Sequence, residues 1–254
     1  MPLILISFIT LCLSFPKIYQ TLTEPLHPFF WKFIHPFEKN WQPQETHPEI
    51  ETILSQPFFY LGRGLQFDCF QSKNGNYVIK LFRHTKSVQK MFDTICSTKL
   101  TFDHLQSETG LIWVHLNLKK GNPISLHDKL GRKFEIDPEI HRFILQKKIT
   151  PLTPTLLKTI FAADLVHGQR LISSYFQLLD TMAEKGILNH GVRFFDNFGI
   201  NQGQVFQIDI GKNIYQPQKA KTRAHSFKRS IQKWLSKNID LISYTETKAR
   251  EKAD

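Results

Sequence analysis

The chain has 254 residues, of which 41% are hydrophobic, and a formal net charge of +11. This length and apolar content provide a core for one large domain or two small ones, and no long low-complexity tract interrupts the sequence. The three cysteines, Cys12, Cys69 and Cys96, have no metal-ligand spacing, which argues against a disulfide framework and a Cys-x-x-Cys zinc site.

The first 16 residues, 1–16, form an apolar N-terminal segment whose run from Pro2 to Phe15 is uncharged. Its 14 residues fall short of the roughly 20 that a membrane-spanning helix needs. A signal peptide would carry a basic start and small residues at its cleavage site, whereas this segment continues into Phe15-Pro16-Lys17. Two interpretations stay open, a signal or membrane anchor and a helix packed on the domain. The first predicts a membrane-associated or secreted protein, and the second a cytoplasmic one.

Residues 17–49 are rich in aromatic residues, proline and histidine, and we interpret them as a connecting segment. Aromatic rings with polar edges suit a membrane interface, and they suit a pocket on the protein equally well.

Three predicted strands follow, at Phe58 to Gly62, Gln66 to Ser72, and Tyr77 to Phe82. The last two are joined by Lys73-Asn74-Gly75-Asn76, a strong hairpin signal. Gly62 and Gly64, between the first two, favour close approach of the backbone to a group such as a phosphate, although a tight turn alone also explains them.

The next predicted elements alternate between helix and strand. Apolar spacing predicts a helix over Ser87 to Ser107, and strands are predicted at Leu111 to Leu116 and at Phe143 to Gln146. Between these two strands, Ser125 to Pro138 is a polar insertion with a turn at Leu130-Gly131-Arg132. These elements define a predicted first domain over residues 50–148.

The second predicted domain, residues 149–254, begins with helices over Thr155 to Leu165 and Gln169 to Lys185, the latter ended by Gly186. A strand, a turn at Asn201-Gln202-Gly203 and a second strand come next. Asn197 and Asp209 lie at the ends of these short strands, where a pair of oxygen ligands can share a divalent cation. An ordinary hairpin with polar corner residues is the alternative.

Residues 212–254 contain eleven basic and four acidic residues, a net charge of +7. Apolar spacing predicts a basic helix over Lys219 to Lys237, which would either bind an anionic membrane or cap the second domain with its apolar stripe. Nucleic acid is the less favoured partner because the sequence contains no recognisable nucleic-acid-binding module. We interpret His104, His115, His127 and His141 as solvated or capping residues, since no zinc-ligand spacing connects them.

In order and spacing, four motifs of the chain resemble those of protein kinases. Gly62 to Phe67 resembles the glycine-rich loop, with Phe67 at the third glycine, and Val78-Ile79-Lys80 resembles the motif of the strand lysine. The run His190 to Asn197 matches the catalytic loop in length and at its two ends, and Asp209-Ile210-Gly211 resembles the metal-binding corner.

This resemblance implies an α+β, protein kinase-like two-lobed fold with an antiparallel-sheet N-lobe and a reduced helical C-lobe. It also implies ATP and Mg²⁺ as cofactors. Gly62, Gly64 and Lys80 would contact the nucleotide, and Asn197 and Asp209 would hold the metal.

The chain departs from the family at three places. Val192 stands where the family has the aspartate base. In the helix, Cys96 to Leu100 contains no acid that would pair with Lys80. Asp93 or Glu108 could take that role only if the helix were shifted. Only 43 residues follow Gly211, without an Ala-Pro-Glu motif.

We therefore predict a pseudokinase-type module that binds nucleotide or a protein partner and has no catalytic base. One alternative is an active, atypical ATP-dependent phosphotransferase. The other is a scaffold that binds no nucleotide and associates with an anionic membrane through the N-terminal segment and the basic C-terminal helix.

Overall fold

The computed structural model describes residues 47–83, 87–162, 164–190 and 197–250, without the side chains of 160, 161, 165, 234, 235 and 237–250. The predicted segment 1–16, nearly all of 17–49, and Val192 lie outside the described residues. The chain divides into two compact units, one ending at Lys148 and the other beginning at Ile149.

The described part of the first unit has three helices and seven strands. The helices are α1 (Pro48–Leu54), α2 (Val88–His104) and α3 (Gln106–Thr109). The strands are β1 (Phe58–Arg63), β2 (Phe67–Ser72), β3 (Tyr77–Phe82), β4 (Leu111–His115), β5 (Ile124–His127), β6 (Lys133–Ile136) and β7 (Phe143–Lys147). The predicted strands and the helix after β3 are confirmed to within three residues at each end.

All seven strands form one sheet in the order β4-β7-β3-β2-β1-β5-β6. Neighbouring strands are antiparallel except β1 and β5, which pair in parallel through Phe58 with Leu126 and Phe59 with His127. The turn between β2 and β3 depends on Gly75, whose φ of +77° is left-handed, a conformation that glycine adopts without strain. Along the chain, β1 to β3 are followed by α2 and then by β4 and β7, which is the order that the kinase resemblance implies.

The polar insertion between β4 and β7 forms an element of the sheet, which the sequence analysis did not predict. Its strands β5 and β6 make a hairpin that lies beside β1. The turn at its tip is held by the buried carboxylate of Asp128, which accepts hydrogen bonds from the backbone of Leu130 and Arg132 at 2.7 and 2.8 Å. Apolar residues of the hairpin, Ile124, Leu126 and Ile136, are buried.

Buried apolar residues lie on both faces of this sheet, because side chains alternate between the two faces of a strand and Val78 and Phe82 are buried as well as Ile79 and Leu81. One core cluster combines strand residues with Ile50 and Ile53 of α1 and with the hairpin. The strand members are Phe58, Phe70, Ile79, Leu81, Trp113, Phe143 and Leu145. Lys80 alternates with Ile79 and Leu81 and therefore points to the opposite face.

The described part of the second unit contains three helices and five short strands. The helices are α4 (Leu152–Phe161), α5 (Leu165–Glu184) and α6 (Pro217–Arg250). The strands are β8 (Thr150–Pro151), β9 (Ile187–Asn189), β10 (Phe198–Asn201), β11 (Gln204–Gln207) and β12 (Asn213–Tyr215). Two small antiparallel sheets result, β11-β10-β8 and β12-β9.

Local signals set the limits of the long helix α5. It begins four residues before the predicted Gln169, because the side chain of Asp164 accepts a hydrogen bond from the backbone N–H of His167 at 3.0 Å. It ends before Gly186, whose φ is +71°. A Cβ at Gly186 would lie 2.9 Å from side-chain atoms of Tyr215 and Pro217, so this position requires glycine for space as well as for conformation.

The predicted α+β class is confirmed, with an antiparallel-rich sheet in the first unit and mainly helices in the second. Among the described residues, no helix combines the length and the apolar character that crossing a membrane requires.

Candidate functional site

The predicted glycine-rich loop connects β1 and β2. The register of this pair shifts between Tyr60 and Gly62, which places Gly62 at a β-bulge. Neither Gly62 nor Gly64 has a positive φ, and a Cβ at Gly62 would meet nothing within 4 Å. Turn conformation and internal packing therefore do not require glycine at Gly62, and the open space beside it is compatible with a ligand that approaches the backbone.

A clamp of charged residues, Arg63, Asp68 and Arg83, fixes this loop. The buried carboxylate of Asp68 accepts a hydrogen bond from Arg63 Nε at 2.9 Å and lies 3.9 Å from Arg83 Nε. Arg83 also donates from Nη1 to the carbonyl of Gly64 at 2.8 Å and from its backbone to the carbonyl of Gln66 at 2.9 Å. The loop is thus held at both ends by hydrogen bonds to charged groups, which are stronger than neutral ones.

Tyr60 lies next to this clamp along β1. Burial raises the pKa of its hydroxyl, and the negative charge of Asp68 raises it further. The ammonium of Lys129 lies 5.1 Å from the centre of the Tyr60 ring. The tyrosine therefore remains protonated at neutral pH and contributes no negative charge beside the loop.

Lys80 occupies the middle of β3, opposite Cys69 on β2 and Ile144 on β7. Its ammonium lies 5.9 Å from the centre of the Phe67 ring, within the range of a cation–π contact. Phe67 in turn packs on Phe82, with ring centres 5.0 Å apart. The residue that replaces the third glycine of the family motif is therefore a buried ring beside the strand lysine.

The helix α2 presents small hydroxyl residues to the interior, Thr94, Ser97, Thr98 and Thr101, which are all buried. The acid of this helix that the sequence analysis names as a substitute partner of Lys80 is Asp93. This carboxylate is exposed and accepts a hydrogen bond from Gln89 at 2.8 Å. Glu108, in α3, accepts one from the hydroxyl of its neighbour Ser107 at 2.9 Å. The departure from the family pattern at this helix stays a prediction from the sequence.

In the second unit, the backbone joins the two predicted metal ligands. The carbonyl of Asn197 accepts hydrogen bonds from the N–H of Ile208 at 2.8 Å and of Asp209 at 3.1 Å. Asp209 is half-buried, and its Oδ1 accepts a hydrogen bond from the N–H of Gly211 at 3.4 Å. Asn197 also borders a small cavity that Tyr175 and other residues of α5 and α6 line.

Three buried amide side chains, which we call the amide triad, support the Asp209 corner: Asn189, Gln207 and Asn213. Asn213 Oδ1 accepts from Asn189 Nδ2 at 2.9 Å and from Gln207 Nε2 at 2.8 Å, and Asn213 Nδ2 donates to Gln207 Oε1 at 3.0 Å. Asn189 and Gln207 also donate to the backbone carbonyl of Asp209, at 3.3 and 2.8 Å. The sequence analysis missed this triad. The sequence feature that could have indicated the triad is an amide residue at one end of each of the strands β9, β11 and β12.

The donor set of the corner suits Mg²⁺, which prefers oxygen ligands and takes one or two carboxylates together with phosphate oxygens. The Asn197 amide and the Asp209 carboxylate would supply the protein ligands, and the bound ion would neutralise phosphate charge. Among the described residues, no group of three or more His, Cys, Asp or Glu side chains forms a metal cage. A metal at this corner would therefore need further ligands from a nucleotide or from water.

His115 corrects the expectation that the histidines are solvated or capping, whereas the buried His141 accepts a hydrogen bond at Nδ1 from the backbone N–H of Asp137 at 3.1 Å and so caps a turn. His115 is 5% exposed and His141 is 2% exposed. His115 Nε2 lies 2.7 Å from the carbonyl of Pro138, and its ring stacks on Phe143 with centres 4.8 Å apart. Burial lowers the pKa of His115, so this ring is neutral in the folded protein at neutral pH.

Arg142 and Asn117 are further buried polar residues of the first unit. Burial lowers the pKa of the Arg142 guanidinium to about 10, and its Nε donates to the carbonyl of Leu116. The amide of Asn117, which is 4% exposed, has no hydrogen-bond partner among the described residues.

No family model matches this chain, and no curated protein matches it. Among solved structures, it is similar to a rhoptry kinase from Toxoplasma gondii, with 15% sequence identity and a TM-score of 0.38. The match covers 62% of this chain and 45% of that one, so the chain spans less than half the length of the kinase structure.

Proposed function

We propose that this chain is a kinase-like nucleotide-binding module of the pseudokinase type, which binds ATP with Mg²⁺ and lacks a catalytic base. The observation that supports it most is the place of Lys80. This lysine lies on β3, an interior strand between β2 and β7, and projects from the face opposite the core cluster that contains Ile79 and Leu81.

The first unit would bind phosphates through the loop and the lysine. The open space at Gly62 permits backbone approach, and the clamp of Arg63, Asp68 and Arg83 holds the loop in one conformation. A preorganised loop loses less conformational entropy when it binds a ligand. Lys80 would supply the positive charge.

The second unit would bind the metal through Asn197 and Asp209. The amide triad fixes the backbone at Asp209, so the carboxylate starts from a defined position. A bound metal would neutralise phosphate charge and so lower the mutual repulsion of the phosphate groups. Because Val192 has no group that accepts a proton, the sequence supports nucleotide binding rather than efficient transfer.

Thermal unfolding of the full chain with and without Mg·ATP tests the proposal. A ligand at about a hundred times its dissociation constant stabilises a protein by roughly 2.7 kcal/mol. We expect a shift for the parent, its loss in Lys80→Ala and Asp209→Asn, and its retention in Lys73→Ala, which changes an exposed lysine of the β2–β3 turn. An unchanged unfolding temperature of the parent at saturating Mg·ATP would refute nucleotide binding.

A phosphate-transfer assay separates the two nucleotide-binding alternatives. We expect Mg·ATP to remain intact over many hours with the parent protein. Turnover that is lost in Asp209→Asn would instead identify an atypical phosphotransferase and would contradict the pseudokinase assignment.

A further inference from the structure

The long helix α6 carries a concentration of positive charge in its first half. Between Pro217 and Lys233 the sequence has six basic residues and no acidic one. Lys228 is neutralised by Asp180 of α5, whose carboxylate its ammonium contacts through both oxygens. The other five are exposed. Arg223 lies over the ring of Phe227, 4.5 Å from its centre, and we call the remaining four, Lys219, Lys221, Arg229 and Lys233, the basic face.

The apolar side of the same helix is already occupied within the second unit. Ala220, Ala224 and Ile231 are buried, and α6 packs against α5 and β9. Their spacing puts them on one side of the helix. Arg229 follows Ala220 by nine residues, about two and a half turns, and so points the opposite way.

This arrangement distinguishes membrane binding by insertion of an apolar side from membrane binding through surface charge. An amphipathic interfacial helix inserts its apolar side among the lipids. Because α6 uses that side to pack on its own unit, its exposed side from Lys219 to Lys233 can bind only through charge and hydrogen bonds. The residues between the cations on that side, including Thr222, His225 and Ser226, are exposed and polar.

We propose that the basic face is a docking surface for an anionic membrane, which it contacts peripherally and without insertion. Its residues extend over about 21 Å along a helix that is packed lengthwise on the unit. A row of this kind suits a flat layer of lipid phosphates and carboxylates. Entry into a DNA major groove requires a helix that can enter a channel about 12 Å wide, which packing on α5 and β9 opposes.

A vesicle flotation assay with the full chain tests the docking surface. Neutral phosphatidylcholine vesicles are compared with vesicles that contain about 30% phosphatidylserine, at about 0.1 M and about 0.5 M NaCl. We expect binding to the anionic vesicles only, and its loss at the higher salt concentration. The triple variant Lys221→Glu, Arg229→Glu, Lys233→Glu should weaken it at least about tenfold, since each basic residue near such a surface contributes about 1 kcal/mol.

The matched control is the triple variant Lys73→Glu, Lys90→Glu, Lys120→Glu, which makes the same change in net charge at exposed lysines of the first unit. It should bind like the parent. Equal losses in both variants would overturn the proposal, because net charge alone would then explain binding. Equal binding to neutral and anionic vesicles would also overturn it, as would tighter binding to duplex DNA than to the anionic vesicles.

Lysine labelling of the unaltered protein tests the same contact without the risk that a variant misfolds. Acylation of lysines in the presence of anionic vesicles should be at least about threefold slower at Lys221 and Lys233, and unchanged at Lys73 and Lys90. Equal protection of all four lysines, or of none, would contradict a membrane contact at the basic face.

Discussion

Replacement of Asn213 by alanine tests whether the amide triad supports the Asp209 corner. Asn213 is 1% exposed, and its side chain makes three hydrogen bonds to Asn189 and Gln207, at 2.8 to 3.0 Å. Each such bond contributes about 0.5–1.5 kcal/mol net, so we expect Asn213→Ala to lower the free energy of unfolding by about 2–4 kcal/mol. The substitution also leaves polar atoms of the fully buried Gln207 without a partner, which adds to the loss of stability.

Urea denaturation followed by far-ultraviolet circular dichroism measures this change in Asn213→Ala. Gln204→Ala is the control, because Gln204 is exposed on β11 of the same hairpin and should change stability by less than about 0.5 kcal/mol. A loss below about 1 kcal/mol in Asn213→Ala would show that water or neighbouring groups replace the triad. The corner would then have no rigid support.

Three further predictions concern other parts of the two units. Gly186→Ala should lower the free energy of unfolding by about 1–3 kcal/mol in urea denaturation, because of its positive φ and the 2.9 Å approach to Pro217, and a neutral effect would contradict this. The folded-state pKa of His115 is depressed, so its contribution to stability is complete above pH 6.5 and is lost as the pH falls through the folded value. His115→Gln should therefore flatten the fall in melting temperature below pH 6.5, and an unchanged pH dependence would refute this role. Phe67→Gly should tighten Mg·ATP binding by about five- to seventyfold in calorimetry, because contacts of about 1–2.5 kcal/mol that hold the ring beside Lys80 disappear. Weaker binding would mean that the ring supports the site.

Strands bounded by clear turn signals could be predicted from the sequence. Tyr77 to Phe82 was predicted with its exact bounds, because Gly75 in the preceding turn and the apolar alternation agree. The turn at Asn201 to Gly203 was predicted for the same reason, and there both Gln202 and Gly203 have a positive φ. At this strand and this turn, the conformation that the local sequence favours is the same as the one that packing in the folded unit requires.

Features that depend on distant parts of the chain could not be predicted. The hairpin of β5 and β6 has polar residues along one side, and only its contact with β1 shows that it extends the sheet. The clamp joins Arg83 to Gly64, nineteen positions earlier, and nothing in the local pattern marks Arg83 as a partner of the loop. The triad likewise joins Asn189 to Asn213 across 24 positions. The predicted nucleotide and metal ligands stay predictions, since they need a bound ligand to be tested.

The parallel pairing of β1 with β5 has a consequence for how the first unit folds. Phe58 pairs with Leu126, so about 70 residues must be available before this contact can form. Strands β1 to β3 can pair early, because each follows its neighbour through a short turn, whereas the β5–β6 hairpin must close a long loop to reach the edge of β1. Contacts of such sequence separation slow folding. On the ribosome, β1 would therefore keep an open edge until the hairpin has emerged, and this interval is when the nascent chain is most exposed to pairing with another molecule.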